Sequence, residues 1–138
     1  MDIGINYLEV LVAAMAAYAV GAVWYSPAGF IKPWVKMMHE FRGEHAKKMP
    51  LTATQAMMLG FLFTLLISYV FAHFVVLVGA EGVPAVLTLA FWTWLGFAVT
   101  TLSNSWLYEG KSLKLFLFNA AHLLAAFLVM ALMFGLWN

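Results

Sequence analysis

Four stretches of the chain run for about 20 residues or more almost without charge: Gly4 to Tyr25, Thr54 to Val78, Val83 to Tyr108, and Leu113 to Trp137. At ~1.5 Å per residue, each is long enough to cross ~30 Å of hydrocarbon as an α-helix. A membrane β-barrel would alternate apolar and polar residues in ten-residue segments. Runs such as Phe61-Leu62-Phe63-Thr64-Leu65-Leu66-Ile67 do not alternate. The pattern predicts one all-α membrane domain over residues 1–138, a bundle of four transmembrane helices at 4–25, 54–78, 83–108 and 113–137.

The connection between the first two spans is patterned differently. Phe30, Trp34, Met37, Met38 and Phe41 recur at i, i+4, i+7, i+8 and i+11, with Lys32, Lys36, Glu40 and Arg42 mostly off that stripe. Pro33 suits a first helical turn. Residues 33–48 therefore read as an amphipathic interfacial helix on the inner leaflet, its basic residues toward anionic lipid, serving as an anchor or else as a lid or partner-binding surface. Thr52 and Gln55 have capping-box spacing at the start of the second span, and Gly79 is placed to end it. The short turn from Gly79 to Pro84 makes the second and third spans antiparallel neighbours. Ala13, Ala17 and Gly21, four apart on the first span, invite close approach of another helix backbone.

Composition agrees: of 138 residues, 65% are hydrophobic and 9% charged, against about a quarter charged in soluble domains. The charges are also one-sided. Lys32, Lys36, Arg42, Lys47 and Lys48 lie between the first two spans, and Lys111 and Lys114 between the last two, whereas Asp2, Glu81 and Asn138 mark the opposite face. Short loops rich in lysine and arginine stay in the cytoplasm. The expected orientation in the cytoplasmic (inner) membrane therefore has both termini on the non-cytoplasmic side. The first span lacks the basic flank of a secretory signal and carries Glu9, so it is expected to remain. With no cysteine, disulfides and thiolate metal sites are excluded, and no basic stripe suits nucleic acid.

Polar side chains within the spans are costly and usually face the bundle interior. Counting from the helix ends places Glu9 and His73 at one level near the outer face, with Asn6 and Tyr69 as neighbours. This outer pair reads either as a proton- or cation-handling site or as a hydrated carboxylate beside a histidine bonded to a carbonyl. Toward the inner half, Thr93, Thr100 and Asn104 fall on one stripe of the third span with Thr101 beside it, while Asn119 and His122 share a face of the fourth. The inner cluster of Thr100, Thr101, Asn104, Asn119 and His122 reads either as interhelical glue or as part of a solute or proton path. His73 and His122 differ in depth by about 6 Å of helix rise, a poor fit to paired haem ligands. No cofactor, metal or catalytic residue is expected.

The stretch Gly21-Ala-Val-Trp24-Tyr25-Ser26-Pro27, then Lys32-Pro33-Trp34, then Gly96-Phe97 with Thr100-Thr101, and finally Leu113 to Asn119 with His122 resembles the bacterial membrane family catalogued as domain of unknown function 1761. The resemblance covers almost the whole chain. It implies a small multi-pass membrane protein and gives weight to the inner cluster, but it brings no established activity.

These readings favour a non-enzymatic protein that passes a small solute or ion, as a homo-oligomer, because four short helices enclose little space. A structural or accessory subunit of a membrane complex competes with it. A small multidrug-exporter-like, proton-coupled transporter is a further alternative, weakened by the one-sided lysines and the off-centre Glu9.

Overall fold

The computed structural model describes residues 4–44 and 50–137, with the side chains of Gly43 and Glu44 left aside. Among the described residues there is no strand, and four helices are long and apolar enough to cross a membrane. We label the five helices α1 (Tyr7–Trp24), α2 (Ile31–Glu44), α3 (Ala53–Val78), α4 (Gly82–Leu107) and α5 (Leu113–Trp137). This is an all-α bundle of four membrane-type helices with an amphipathic fifth. The expected end of the interfacial helix at Lys48, with Lys47, lies outside the described residues, as do Asp2 and Asn138.

Helix ends follow from local chemistry. Asn6 caps α1, its Oδ1 accepting from the backbone N–H of Leu8 (3.1 Å) and Glu9 (3.3 Å). This satisfies donors that have no partner inside the helix. At the start of α3 the capping box is complete: the Gln55 N–H donates to Thr52 Oγ1 and the Thr52 N–H to Gln55 Oε1, both at 3.1 Å. Gly79 ends α3 with φ +66°, a conformation a side chain would disfavour.

Packing sets the helices in the spatial order α3, α1, α5, α4. The small stripe of α1 explains its central place. Ala13 and Ala14 are fully buried and Ala17 nearly so, which lets α3 and α5 approach from two sides. On α5, Gly135 lies against α4 so closely that an added Cβ would stand 2.7 Å from Val83 Cα. The core between these helices holds Val10, Phe71, Val86, Ala90, Met130 and Phe134. The expectation that the second and third spans pack as neighbours is corrected. α3 and α4 share a short turn but have few close backbone approaches. They face each other with Leu66, Val70, Phe74 and Phe97 across a cleft of about 370 Å³. Bulky side chains hold the two backbones apart where small ones draw the other pairs together.

α4 is interrupted by a π-helical segment at Trp94–Val99. Its wide turns place one extra residue in the helix, so everything after it is rotated by about 100° relative to an unbroken helix. α2 lies at the end of the bundle that holds the α4–α5 turn, with Trp34, Met37, Met38 and Phe41 half-buried and Lys32, Lys36, His39 and Glu40 exposed. Its apolar stripe is turned onto the protein: Trp34 meets Tyr25 edge-to-face, and the Lys111 ammonium stands 5.6 Å from the Phe41 ring centroid.

Candidate functional site

The turn after α1 builds the site. Ser26 Oγ donates to the Val23 carbonyl at 2.7 Å, the Gly29 N–H to the Ser26 carbonyl at 2.9 Å, and the Phe30 N–H to the Trp24 carbonyl at 2.7 Å. At Gly29 a Cβ would overlap the Val23 carbonyl oxygen. The Trp-Tyr-Ser-Pro segment is thus folded back on itself, and it swings α2 across the inner end of the bundle.

Five aromatic rings surround His122 or pack on its neighbours. The Tyr25 ring centroid lies 5.0 Å from that of His122 and 5.5 Å from Trp34, while Trp24 stands 6.1 Å from His122 and 4.7 Å from Phe30. Phe118, one turn before His122, contacts Trp24, Tyr25 and Phe30. The Tyr25 hydroxyl donates to Asn119 Oδ1 at 2.7 Å, tying the end of α1 to α5. Gly21 makes room for the imidazole, since a Cβ there would come within 2.9 Å of His122 Nε2. Trp24 Nε1 is buried without a hydrogen-bond partner among the described residues. Such a donor costs stability where no water reaches it.

Tyr25, Trp34 and His122 form the polar end of a cavity of about 700 Å³ between α1, α3 and α5. Its wall continues through Tyr18, Thr64 and Ile67 to Leu123 and Met130. Most of its hydroxyls are engaged: Tyr18 donates to the Met57 carbonyl at 2.9 Å and Thr64 to the Gly60 carbonyl at 2.8 Å. No lysine, arginine or carboxylate is part of the lining. No hydrogen bond is present to either His122 nitrogen from the described residues, so the imidazole and the lone pairs of the Tyr25 oxygen are available to a bound molecule.

The inner cluster expected from the sequence divides. Asn119 and His122 stand together at this site, joined by Tyr25 and Trp34, both part of the stretches that carry the family resemblance. Thr100, Thr101 and Asn104 are exposed on α4, and the Thr100 hydroxyl bonds the Gly96 carbonyl of its own helix at 2.6 Å. The π segment is the physical reason: Thr93, before it, is buried as the stripe requires, but the lower part of α4 is rotated so that Ser105 is buried instead. That segment also places Trp94, whose Nε1 donates to the Ala120 carbonyl at 2.9 Å, beside Asn119. The deviation itself had no signal in the periodicity.

At the outer end, Glu9 is buried in the first turn of α1. His73 Nδ1 is 2.8 Å from the Tyr69 carbonyl of its own helix, and its ring meets Tyr69, which stacks on Tyr7. Among the described residues no hydrogen bond or ion pair joins Glu9 to His73. The nearby link between α1 and α3 runs instead from the buried Ser68 hydroxyl to the Val10 carbonyl, 2.8 Å.

The model of the family described as "Protein of unknown function (DUF1761)" matches residues 8–135. The chain belongs to the DUF1761 family. Trp24, Tyr25, Ser26 and Pro27, on which the resemblance was noticed, are the residues of the turn that carries the aromatic site, and Asn119 and His122 complete it. No curated protein and no solved structure matches the chain.

Proposed function

We propose that this DUF1761 protein is a non-enzymatic membrane protein that binds a small solute in the chamber between α1, α3 and α5 and passes it across the inner membrane as a homo-oligomer. The observation that carries the reading is the cavity of about 700 Å³ closed at one end by His122 and Tyr25. Its size falls within the ~300–1,000 Å³ of small-molecule sites, as does its make-up of apolar walls with a few convergent polar groups. A hydrated ion is a poorer occupant, because the lining offers no charge and few free polar atoms. Oligomerisation is supported by the exposed Ala56 and Met57 at the chamber's rim, which a neighbouring copy would cover.

Uptake by proteoliposomes tests this, with butyric acid, glycerol and tetraethylammonium as probes followed by stopped-flow light scattering. One class should enter about tenfold faster than in protein-free vesicles. His122→Ala and Tyr25→Phe should abolish the gain while the purified variants stay helical and monodisperse. Equal rates with and without protein would overturn the proposal in favour of an accessory subunit. That second reading is favoured by the Tyr25–Asn119 and Tyr18–Met57 bonds, which tie helices together as purely structural links would.

A further inference from the structure

Two cavities of the bundle share part of their walls. The chamber holding His122 and the apolar cleft between α3 and α4 are both bordered by Ile67, Leu123 and Phe127. Apart from Thr93 the lining of the cleft is wholly apolar, and it opens on the bundle's surface. The Thr93 hydroxyl is already bonded to the Leu89 and Ala90 carbonyls, at 3.0 Å each. The chamber's end at His122 therefore offers hydrogen bonds, and the neighbouring cleft offers none.

Resting on the reading above, we infer that the solute is a single-chain amphiphile with an uncharged, hydrogen-bonding head, such as an alcohol or a protonated carboxylic acid. The head sits between His122 and Tyr25, and the tail passes Ile67 into the cleft toward Phe97. The head's chemistry follows from the free valences. Tyr25 has given its proton to Asn119 and can only accept, while a neutral imidazole donates from one nitrogen and accepts at the other. A hydroxyl answers both. A phosphate or quaternary ammonium head would be buried without a countercharge, which is costly away from water. The tail gains little affinity in the cleft, because lipid is as apolar as the lining. The lining offers no partner to a polar group on the tail, so the tail is hydrocarbon.

Photolabelling of the full chain in lipid nanodiscs tests the inference. The probes are decanol carrying a diazirine beside the hydroxyl or at the chain end, the matching decyltrimethylammonium and decyl phosphate, and a diazirine-bearing butanol. Head-labelled decanol should mark Tyr25, Trp34 or His122, and tail-labelled decanol Leu66, Phe97 or Phe127. Both charged probes should label about tenfold less. Ala98→Trp, which fills the cleft at a residue that is not part of the chamber wall, should remove the tail label from the cleft and leave butanol labelling of the chamber intact. Equal labelling by the charged probes would overturn the assignment of the head. Chamber labelling by butanol with no decanol tail in the cleft would overturn the amphiphile and leave the solute chamber standing. No labelling of the chamber by any probe would overturn both.

Discussion

Two glycines eight residues apart show how differently single atoms matter around the site. A methyl group at Gly29 would meet backbone, overlapping the Val23 carbonyl oxygen and lying 2.9 Å from that of Trp24. Backbone in a tight turn cannot give. Gly29→Ala should therefore cost about 1–3 kcal/mol, the usual range for forcing atoms into a filled space, measured by denaturant unfolding in mixed micelles. At Gly21 the methyl group would meet only the tip of the His122 ring, at 2.9 Å from Nε2. The ring can swing aside, so Gly21→Ala should change unfolding by less than about 0.5 kcal/mol while lowering solute uptake as His122→Ala does. A large loss of stability at Gly21, or none at Gly29, would contradict this division. In the sequence Gly21 opens a distinctive motif and Gly29 lies two residues beyond it. The sequence did not show which atom each one spares, because that depends on a turn folded back on itself and on a histidine 101 positions away.

At the scale of whole helices, close packing is set by where small residues face one another. Gly135 of α5 and Val83 of α4 are in backbone contact, whereas the nearest atom to a Cβ at Gly60 of α3 is a Tyr18 ring carbon at 3.8 Å, an ordinary distance. Gly135→Ala should split the outer ends of α4 and α5 and lower stability by about 1–3 kcal/mol. Gly60→Ala should be neutral or stabilising by about 0.5–1 kcal/mol, because alanine favours the helix. Parallel unfolding curves decide between them, and equal effects at the two sites would count against backbone contact as the cause. Helix existence, the capping box and the amphipathic stripe of α2 were all legible, since each depends on residues within a few positions of one another. The inward face of lower α4 was not. Counting by 3.6 residues from Thr93 selects Thr100 and Asn104, and a single π segment turns them outward and brings Ser105 in. The extra residue in that turn is accompanied by the Trp94 contact to α5, a tertiary bond that local periodicity does not contain.

For the molecule as a whole, the sidedness of charge acquires a spatial meaning. The sequence placed basic residues in two separate connections. The Lys111–Phe41 contact shows that both connections lie at the same end of the bundle, beneath α2, with Glu81 in the turn at the other end. Basic residues gathered at one end predict a single orientation, because basic segments resist translocation. The chain has no cysteine, so two exposed positions can be probed singly: Lys36 on α2 and Glu81 in the α3–α4 turn. Neither side chain takes part in the site, and removing one of seven basic residues leaves the charge bias nearly whole. In spheroplasts, Glu81→Cys should react with a membrane-impermeant maleimide, whereas Lys36→Cys should react only after the membrane is permeabilised. The reverse pattern would invert the chamber and place His122 and Tyr25 in the outer half of the bilayer. Reaction of both positions from outside would mean insertion in two orientations.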